Sequence, residues 1–463
     1  MTTTTTKDRQ AAQIARTKRA EQASPLARHF TLGSLLRFAA PSIGMMIIIS
    51  LYTVTDGIFI GRFAGSDALA ASNIVYPVIN LVLGLAIMLA SGGSALVAKN
   101  LGEGKMAAAR RRFTLITVTA IALASALAIL AFAAGDGLLF LLGASPELLA
   151  DCRSYLYALL PFFPFAALMI LFNAFFIADG RPMQGFRVSV LAGLTNAGLD
   201  YFFLAHLGLG VFGAGLATGI ADLLSAVIGL AYFWRSSRTL RFTKPQLEWR
   251  ALGQAMYNGS SELVTQLSVG ITTFLFNILT FRYAGADGVA AISVILYAEM
   301  LLTAIYMGFT NGVAPVFSYR FGARDFGELR RLVRLSLMAI AGGALLSFGL
   351  SRLLAGPLIS LFLPQGGHVY ELTHQGFLLF SLSFLLCGFN LFISGFFTAI
   401  SDGRTSALMS FARNLLGIVI FLLTLPHLFG LRGVWLAMCI ELCFRGFIFL
   451  VRLRFWRSGR SKG

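Results

Sequence analysis

The chain has 463 residues, of which 57% are hydrophobic and only 12% are charged, and its mean hydropathy is +0.78. Soluble domains carry about 25% charged residues, so this composition excludes a soluble protein and indicates an integral membrane protein. The net charge of +17 does not indicate a nucleic-acid partner, because the basic residues lie mostly in short segments between apolar runs, where membrane topology accounts for them.

Twelve apolar runs are long enough to cross a hydrocarbon layer about 30 Å thick, which takes about twenty residues of helix. They lie at 33–61, 68–98, 113–143, 148–178, 187–205, 211–234, 255–283, 288–319, 335–364, 374–400, 405–427 and 431–452. The sequence therefore predicts an all-α integral membrane protein with twelve transmembrane helices.

The basic residues predict how these helices are oriented. When the runs alternate across the membrane, 32 of the 37 lysines and arginines fall on one side. Basic loops stay in the cytoplasm, so we expect both termini inside and a multi-pass protein of the bacterial inner membrane. Residues 1–32 are polar and basic and are expected to form a disordered cytoplasmic tail, and residues 453–463 form a second one.

The chain contains an internal repeat. Residues 62–71 read RFAGSDALAA, and residues 282–291 read RYAGADGVAA, 220 positions later. The same offset matches Gly92 with Gly312 and Gly102 with Gly322, and farther on the DGR of 179–181 matches 402–404 at an offset of 223.

The repeat predicts two lobes of six helices each, an N-lobe at 33–234 and a C-lobe at 255–452, joined by a cytoplasmic linker at 235–254. Because six is an even number, both lobes point the same way and are related by a pseudo-two-fold axis along the membrane normal. This is the plan of a secondary transporter, with substrate handled between the lobes. The sequence has no phosphate-binding loop and no ATPase-sized soluble domain, so transport would run on an ion gradient.

Within the predicted helices, acidic residues outnumber basic ones, which favours a cavity that attracts cations. Charged groups at this depth cost about 2.5–3.5 kcal/mol on insertion scales and usually line a cavity or an ion site. Asp56, near the outer end of the first helix, is the first candidate, although it could instead lie in the headgroup layer as a helix-end residue.

A second set of polar residues lies in the fifth and sixth helices. Asn196 and Asp200 are four residues apart and share a helix face, and Thr218 supplies a hydroxyl on the next helix. Carboxylate, amide and hydroxyl oxygens suit a hard cation, so this set predicts a site for H⁺ or Na⁺. The alternative is that Asn196 and Asp200 simply pair with each other.

Three stretches carry a resemblance to a known family: Pro41 followed by VTDGIFIGR around Asp56, NAGLD followed by GVFGAGLAT, and NGVAPVFSYRFGAR at 311–324. Together they resemble the multidrug and toxic compound extrusion (MATE) transporters, within the multidrug/oligosaccharidyl-lipid/polysaccharide exporter superfamily. The resemblance covers nearly all of residues 33–452. It implies two six-helix lobes and cation-coupled antiport of amphipathic, often cationic compounds by alternating access, with no cofactor other than the coupling ion.

The resemblance also implies roles for single residues. Asp56, Asn196, Asp200 and Thr218 fall where one branch of the family keeps a cation site. Asp56, Asn196 and Asp200 would be ligands of a metal ion only if the coupling ion is Na⁺. Glu262 falls near an acid that a sodium-coupled branch uses in the C-lobe, with an aspartate in the tenth helix. That helix here offers Asn390 and Ser394 but no acid, which favours the N-lobe. Arg320 stands where the family signature has asparagine.

Residues of the C-lobe, Glu262 and Asn390 among them, are further candidates for a substrate cavity. Glu299 in the eighth helix is placed to meet a cationic drug, or else to pair with a tyrosine or cap a backbone break. Phe276 and Met307 offer an adaptable apolar surface, or else pack against lipid and neighbouring helices. The expected partners are small amphipathic or cationic compounds and the lipid bilayer, and one two-lobed chain is expected to work as a monomer.

Three other functions are weaker readings of the same sequence. A lipid-linked precursor flippase of the same superfamily would handle anionic pyrophosphate groups, which call for basic rather than acidic residues in the cavity. A channel or a non-transporting membrane protein fits the two-lobed repeat less well. An enzyme is least supported, because no nucleophile–base pair or metal cluster occurs in the sequence.

Overall fold

The computed structural model describes residues 25–237, 239–360, 363–411 and 416–437. Within these ranges every regular element is a helix. Most of the predicted N-terminal tail, all of the C-terminal tail and most of the predicted twelfth helix (431–452) lie outside the described residues.

Nine helices in the described ranges are long and apolar enough to cross a membrane. The longest of them, Trp249–Gly322, is divided at Gly285, where the backbone leaves helical geometry (φ 60°, ψ −150°). The resulting ten spans are α1 (Leu32–Ala64), α2 (Ser66–Gly102), α3 (Met106–Leu141), α4 (Leu149–Ala178), α5 (Pro182–His206), α6 (Gly210–Ser236), α7 (249–284), α8 (286–322), α9 (Phe326–Leu353) and α10 (His368–Ala399). Shorter helices are Ala355–Ser360, Gly403–Phe411, Ile418–Phe429 and 431–437.

The first eight predicted runs each correspond to one helix, but several helices are longer than their runs. For example, α3 begins at Met106 rather than at 113, and α7 begins at Trp249 rather than at 255. The reason is that hydropathy marks the hydrocarbon layer, whereas good helix formers such as Arg110 and Arg111 continue the helix past it. The predicted ninth run (335–364) is interrupted after Leu353, and a separate short helix follows.

Glycine makes the turn between the first two helices of each lobe. Gly65 (φ 96°) separates α1 from α2, and Gly285 (φ 60°) separates α7 from α8. Positive φ is a conformation that glycine adopts without steric strain. The two glycines are 220 residues apart and lie inside the repeated segment, so the repeated sequence encodes a repeated turn.

The two lobes touch through their backbones at one end of the bundle. This end carries the loops 103–105, 179–181 and 323–325 with their lysines and arginines, and we call it the basic end. A Cβ atom added at Gly102 would lie 2.0 Å from the Tyr319 carbonyl oxygen, and one added at Gly322 would lie 2.1 Å from that of Lys99. Tyr319 is 220 residues after Lys99, and Gly322 is 220 after Gly102, so each contact is the image of the other.

A second pair of contacts obeys the same rule. Gly92 on α2 approaches Gly259 on α7, and Gly312 on α8 approaches Ala39 on α1. Since 39 and 259 are again 220 apart, as are 92 and 312, the pseudo-two-fold axis predicted from the repeat relates both pairs. These close approaches of glycines to the opposite lobe therefore lie along α2 and α8, toward the basic end.

Arg320, which stands where the family signature has asparagine, has a structural role at the basic end. Its guanidinium is buried and donates hydrogen bonds to the carbonyl oxygens of Ala27 and Arg28, at 2.5 and 2.8 Å, and to the Asp325 carboxylate at 3.1 Å. An asparagine side chain is too short to present this fork of donors. Arg320 thus holds the segment that precedes α1 against α8.

This segment, residues 25–30, bridges the lobes, and we call it the N-terminal strap. At one end Pro25 packs against Gly180 in the loop between α4 and α5, since a Cβ added there would lie 2.7 Å from the proline ring. At the other end His29 lies 3.5 Å from the Glu328 carboxylate on α9. The strap therefore contacts a loop of the N-lobe and the ends of two C-lobe helices.

The close approach at Gly92 predicts a loss of stability on substitution. In Gly92→Ala the new methyl group would lie 1.9 Å from the Ala255 carbonyl oxygen, and overpacking of this kind costs about 1–3 kcal/mol. We expect a lower melting temperature of the purified protein. The control is Gly270→Ala, where an added Cβ meets nothing within 4 Å; equal melting temperatures for the two variants would contradict the inter-lobe contact.

The strap predicts a change in protease sensitivity. In Arg320→Gln the strap loses hydrogen bonds from the buried guanidinium, so we expect trypsin to cleave after Arg28 faster than in the unmodified protein. The measurement is a time course of limited proteolysis read by mass spectrometry. Arg334→Gln removes an exposed positive charge from the same end of the molecule and should leave the rate unchanged. Equal cleavage rates in all three proteins would show that Arg320 does not hold the strap.

Candidate cation site in the N-lobe

Two helices of the N-lobe bring two carboxyl groups together. Asp56 lies on α1 and Asp200 on α5, and their side chains are within hydrogen-bonding range of each other. Ionised carboxylates only accept hydrogen bonds, and two of them in contact repel each other. The contact is therefore stable only when a proton is shared between the two groups or when a cation lies between them.

Asn196 and Thr218 complete the predicted set. Asn196 and Asp200 lie one turn apart on α5 and are both fully buried. The Asn196 amide donates to the Thr218 hydroxyl on α6 at 3.3 Å, so the structure does not bear out the alternative in which Asn196 and Asp200 pair only with each other. The four residues predicted as the cation site thus come together from three helices.

Several buried oxygens of this set have no hydrogen-bond donor. Both carboxylate oxygens of Asp200, one buried oxygen of Asp56 and the amide oxygen of Asn196 accept no hydrogen bond from the described part of the chain. A buried acceptor without a donor costs about 1–3 kcal/mol. Four such oxygens in one place form a set that a proton or a hard cation would satisfy.

Both carboxylate-bearing helices change geometry beside the site. α1 widens into a π-helical turn at Ile60–Ala64, and α5 does so at Tyr201–His206, directly after Asp200. The rings of Phe63 and Tyr201 pack edge to face at 6.3 Å and join the two turns. Turns of this kind are rare and occur often at functional sites, and nothing in the local sequence predicts them.

Two tyrosines surround the acids and were not found from the sequence. Tyr155 on α4 is buried and lies in the electrostatic range of both Asp56 and Asp200. Tyr52 lies one helical turn before Asp56 and lines the same small cavity as Asp222. The four-residue spacing of Tyr52 and Asp56 could have indicated that the two side chains share a helix face. Tyr155 lies on a distant helix, and no local spacing connects it with the acids.

A small cavity continues from this set into the lobe. Its volume is about 20 Å³, enough for one water molecule or an ion of that size but not for a drug. Asp222, one turn after Thr218, lines it together with buried hydroxyls whose oxygens have no partner in the described residues. These hydroxyls belong to Ser189 and Ser225, and the cavity is also lined by Asn196 and Thr218.

The C-lobe candidates are placed differently. Glu262 on α7, and Glu299 and Met307 on α8, are half-buried, and buried Asn390 on α10 donates to the Leu386 carbonyl of its own helix at 3.2 Å. Phe276 is fully buried in the apolar core of the C-lobe.

Phe276 has a particular meaning within the repeat. It lies 220 residues after Asp56 and therefore occupies the position that corresponds to it in the second lobe. There it packs among Ile292, Ile295 and Phe377. The repeat therefore does not reproduce the Asp56 carboxylate in the C-lobe.

The hydrogen bond between Asn196 and Thr218 predicts a stability difference between two hydroxyl deletions. Thr218→Val keeps the shape but leaves a buried amide without its acceptor, which costs about 1–3 kcal/mol. Ser225→Ala removes a hydroxyl that has no partner among the described residues and should be close to neutral. The measurement is the melting temperature of each purified variant, and an equal or larger drop for Ser225→Ala would contradict the geometry.

Known proteins with similar sequences and structures cover most of the chain. The multidrug export protein MepA of Staphylococcus aureus (strain NCTC 8325 / PS 47) is 24% identical over 417 residues, which is 88% of this chain and 90% of MepA. A crystal structure of a MATE transporter in complex with MaL6 superimposes with a TM-score of 0.87 at 22% identity, over 93% of this chain and 97% of that one.

A second solved structure is an outward-facing multidrug resistance MATE transporter, with a TM-score of 0.87 and 21% identity, covering 94% of this chain and 98% of that one. These similarities confirm the predicted fold of twelve transmembrane helices in two lobes. The sequence model of the MatE family matches residues 41–202 and 263–423, one segment in each lobe. The matched segments make up more than half of the chain, and the chain therefore belongs to the MatE family of multidrug and toxic compound extrusion transporters, which are membrane transporters and not enzymes.

Proposed function

We propose that the protein exports amphipathic, often cationic compounds in exchange for H⁺ or Na⁺, and that Asp56, Asn196, Asp200 and Thr218 form the coupling site. The observation that carries this proposal is the contact between the Asp56 and Asp200 carboxyl groups, whose buried oxygens have no other donor in the described residues. Relatives such as MepA are named multidrug export proteins, which supports the class of substrate.

The coupling step follows from the charge of this pair. With no cation bound, two ionised carboxylates repel each other and favour separation of α1 and α5. A proton shared between them, or Na⁺ bound by oxygens of Asp56, Asp200 and Asn196, removes the repulsion and draws the helices together. The ion drives transport only if it binds the two states with different affinity, and the approach of the carboxylates supplies that difference.

The helices that carry the site can transmit this change. α1 reaches from Asp56 to Ser42 and Ile43, which Gly308 of α8 approaches closely. Pro41 sits in the same turn and removes a backbone donor, which eases bending of α1 at this point. Movement of α1 at the carboxylate pair therefore reaches the contact between the lobes.

The N-lobe is a better place for coupling than the C-lobe. The counterpart of Asp56 is Phe276, packed in an apolar core, and the tenth helix has no acid beyond Glu371 in its first turn. A second coupling site in the C-lobe would have to be built from Glu262 or Glu299. Neither the position of Phe276 nor the middle of the tenth helix would supply it with a second carboxylate.

We place the protein in the bacterial inner membrane with the basic end toward the cytoplasm. The distribution of lysine and arginine supports this orientation, and the relatives are bacterial. The ion would then enter from the end opposite the basic loops, and the lobes, which are in backbone contact at the basic end, would open outward. Because each chain contains both lobes, a monomer is sufficient for the cycle.

The test is export of a fluorescent lipophilic cation, such as ethidium, from vesicles that carry the purified protein. A pH gradient and a Na⁺ gradient are imposed separately. We expect export under one of them and at least a tenfold loss of its rate in Asp56→Asn, because the substituted amide carries no negative charge for the coupling ion to neutralise and takes up no proton.

The matched control is Asp287→Asn, which removes an exposed acid near the outer end of α8 and should export as the unmodified protein does. Export by Asp56→Asn at the full rate would refute coupling at this site. Absence of export by the unmodified protein under either gradient would refute the antiport itself.

A further inference from the structure

A cleft at the basic end is lined by arginines and by no acid. It has a volume of about 610 Å³ and lies between the N-terminal strap, the first turns of α1 and the first turns of α5. Its charged and titratable lining residues are Arg28, His29, Arg37, Arg181 and Arg187. The cleft is separate from the carboxylate site, and the proposed export mechanism makes no use of it.

The four guanidinium groups of the cleft are available to a ligand. All four side chains are exposed, and none makes a hydrogen bond or an ion pair within the part of the chain that the structure describes. The nearest carboxylate along the chain, Asp179, attracts Arg181 but already accepts hydrogen bonds from Tyr232, Ser237 and the Leu240 backbone. Four like charges around one cleft repel each other unless an anion joins them.

The cleft is also partly apolar. Phe30, Phe38, Pro41 and Met183 line it beside the arginines. Arg37 and Arg187 lie five residues inside α1 and α5, so the cleft extends from the loop level into the first turns of two membrane helices. A ligand that fills it has an anionic group at the level of the arginines and an apolar part next to it.

We propose that this cleft is a binding site for the phosphate headgroup of an anionic phospholipid from the leaflet at the basic end. Arginine presents paired donors that match the oxygens of a phosphate, and basic pockets between membrane helices bind lipid headgroups in this way. A soluble anion such as inorganic phosphate shares the charge but makes no use of the apolar wall. The proposal does not depend on the export function.

The position of the site suggests what a bound lipid does. Two of its residues, Arg28 and His29, belong to the strap, whose backbone carbonyls Arg320 holds against α8. A headgroup that bridges Arg28 to Arg37 on α1 and Arg181 before α5 ties the strap to the N-lobe as well. The lipid therefore reinforces the connection between the lobes at the basic end.

The test uses the full-length protein in neutral detergent micelles and dioctanoyl phosphatidylglycerol as the probe. Binding is counted by native mass spectrometry, and stabilisation is followed as a rise in melting temperature with lipid concentration. We expect saturable binding of phosphatidylglycerol. In Arg37→Gln/Arg181→Gln/Arg187→Gln the affinity should fall about 100-fold, or about fivefold per charge removed.

Controls separate the site from general attraction to a basic surface. Arg235→Gln removes an exposed arginine elsewhere at the basic end and should not change the affinity. Arg37→Lys/Arg181→Lys/Arg187→Lys keeps the charge but loses the paired donors, so its affinity should lie between those of the glutamine variant and the unmodified protein, which also shows that the positions tolerate substitution.

Three results would overturn the proposal. The first is equal affinity in the triple glutamine variant and the unmodified protein. The second is equal binding of dioctanoyl phosphatidylcholine, which has no net charge. The third is full competition by inorganic phosphate at millimolar concentration, which would assign the cleft to a soluble phosphate instead of a lipid. Loss of export in Asp56→Asn has no bearing on any of them, so the two proposals fail or stand separately.

Discussion

The contact between backbones at the basic end is the constraint on which the rest of the architecture depends. Gly102 and Gly322 each approach a carbonyl of the opposite lobe so closely that any side chain would collide with it. Small residues allow membrane helices to approach in this way, and van der Waals packing then holds them. Because the lobes are joined here, the rearrangement of α1 and α5 that the proposed coupling requires need not separate the two halves.

Much of the fold could be predicted from the sequence, because the bilayer leaves few choices. Hydropathy gave the helices, and the repeat at an offset of 220 gave the lobes. Helix ends were less accurate, since polar turns such as the one at Arg110 continue a helix beyond the apolar run. The match of 179–181 with 402–404 was also wrong in register: the helix end at Gly180 (φ 78°) corresponds to Ser401 (φ 62°), an offset of 221. The shared DGR triplet aligned identical residues, whereas the backbone hydrogen bonds at the two helix ends give the structural alignment.

The candidate site was predicted only in part, and the physical reason differs from residue to residue. Asn196 and Asp200 share a helix face, so their proximity follows from spacing. The approach of Asp56 to Asp200 is a tertiary contact that the family resemblance implied and spacing alone did not. Tyr155 and the two π-helical turns left no local signal. Arg320 is the opposite case, because the sequence marked it as unusual and only its contacts with Ala27 and Arg28 gave it a role.

The reciprocal contacts between the lobes have a consequence for the origin and divergence of the halves. Lys99 with Gly322 and Tyr319 with Gly102 are the contacts that two identical six-helix subunits would make about a dyad, an isologous interface in the language of oligomers. In a homodimer every substitution appears twice, so a carboxylate at one site appears at both. Once a covalent linker joins the halves, each position mutates alone, and an acid in one half can face a phenyl ring in the other. The asymmetry between Asp56 and Phe276 is a state that two identical subunits cannot reach.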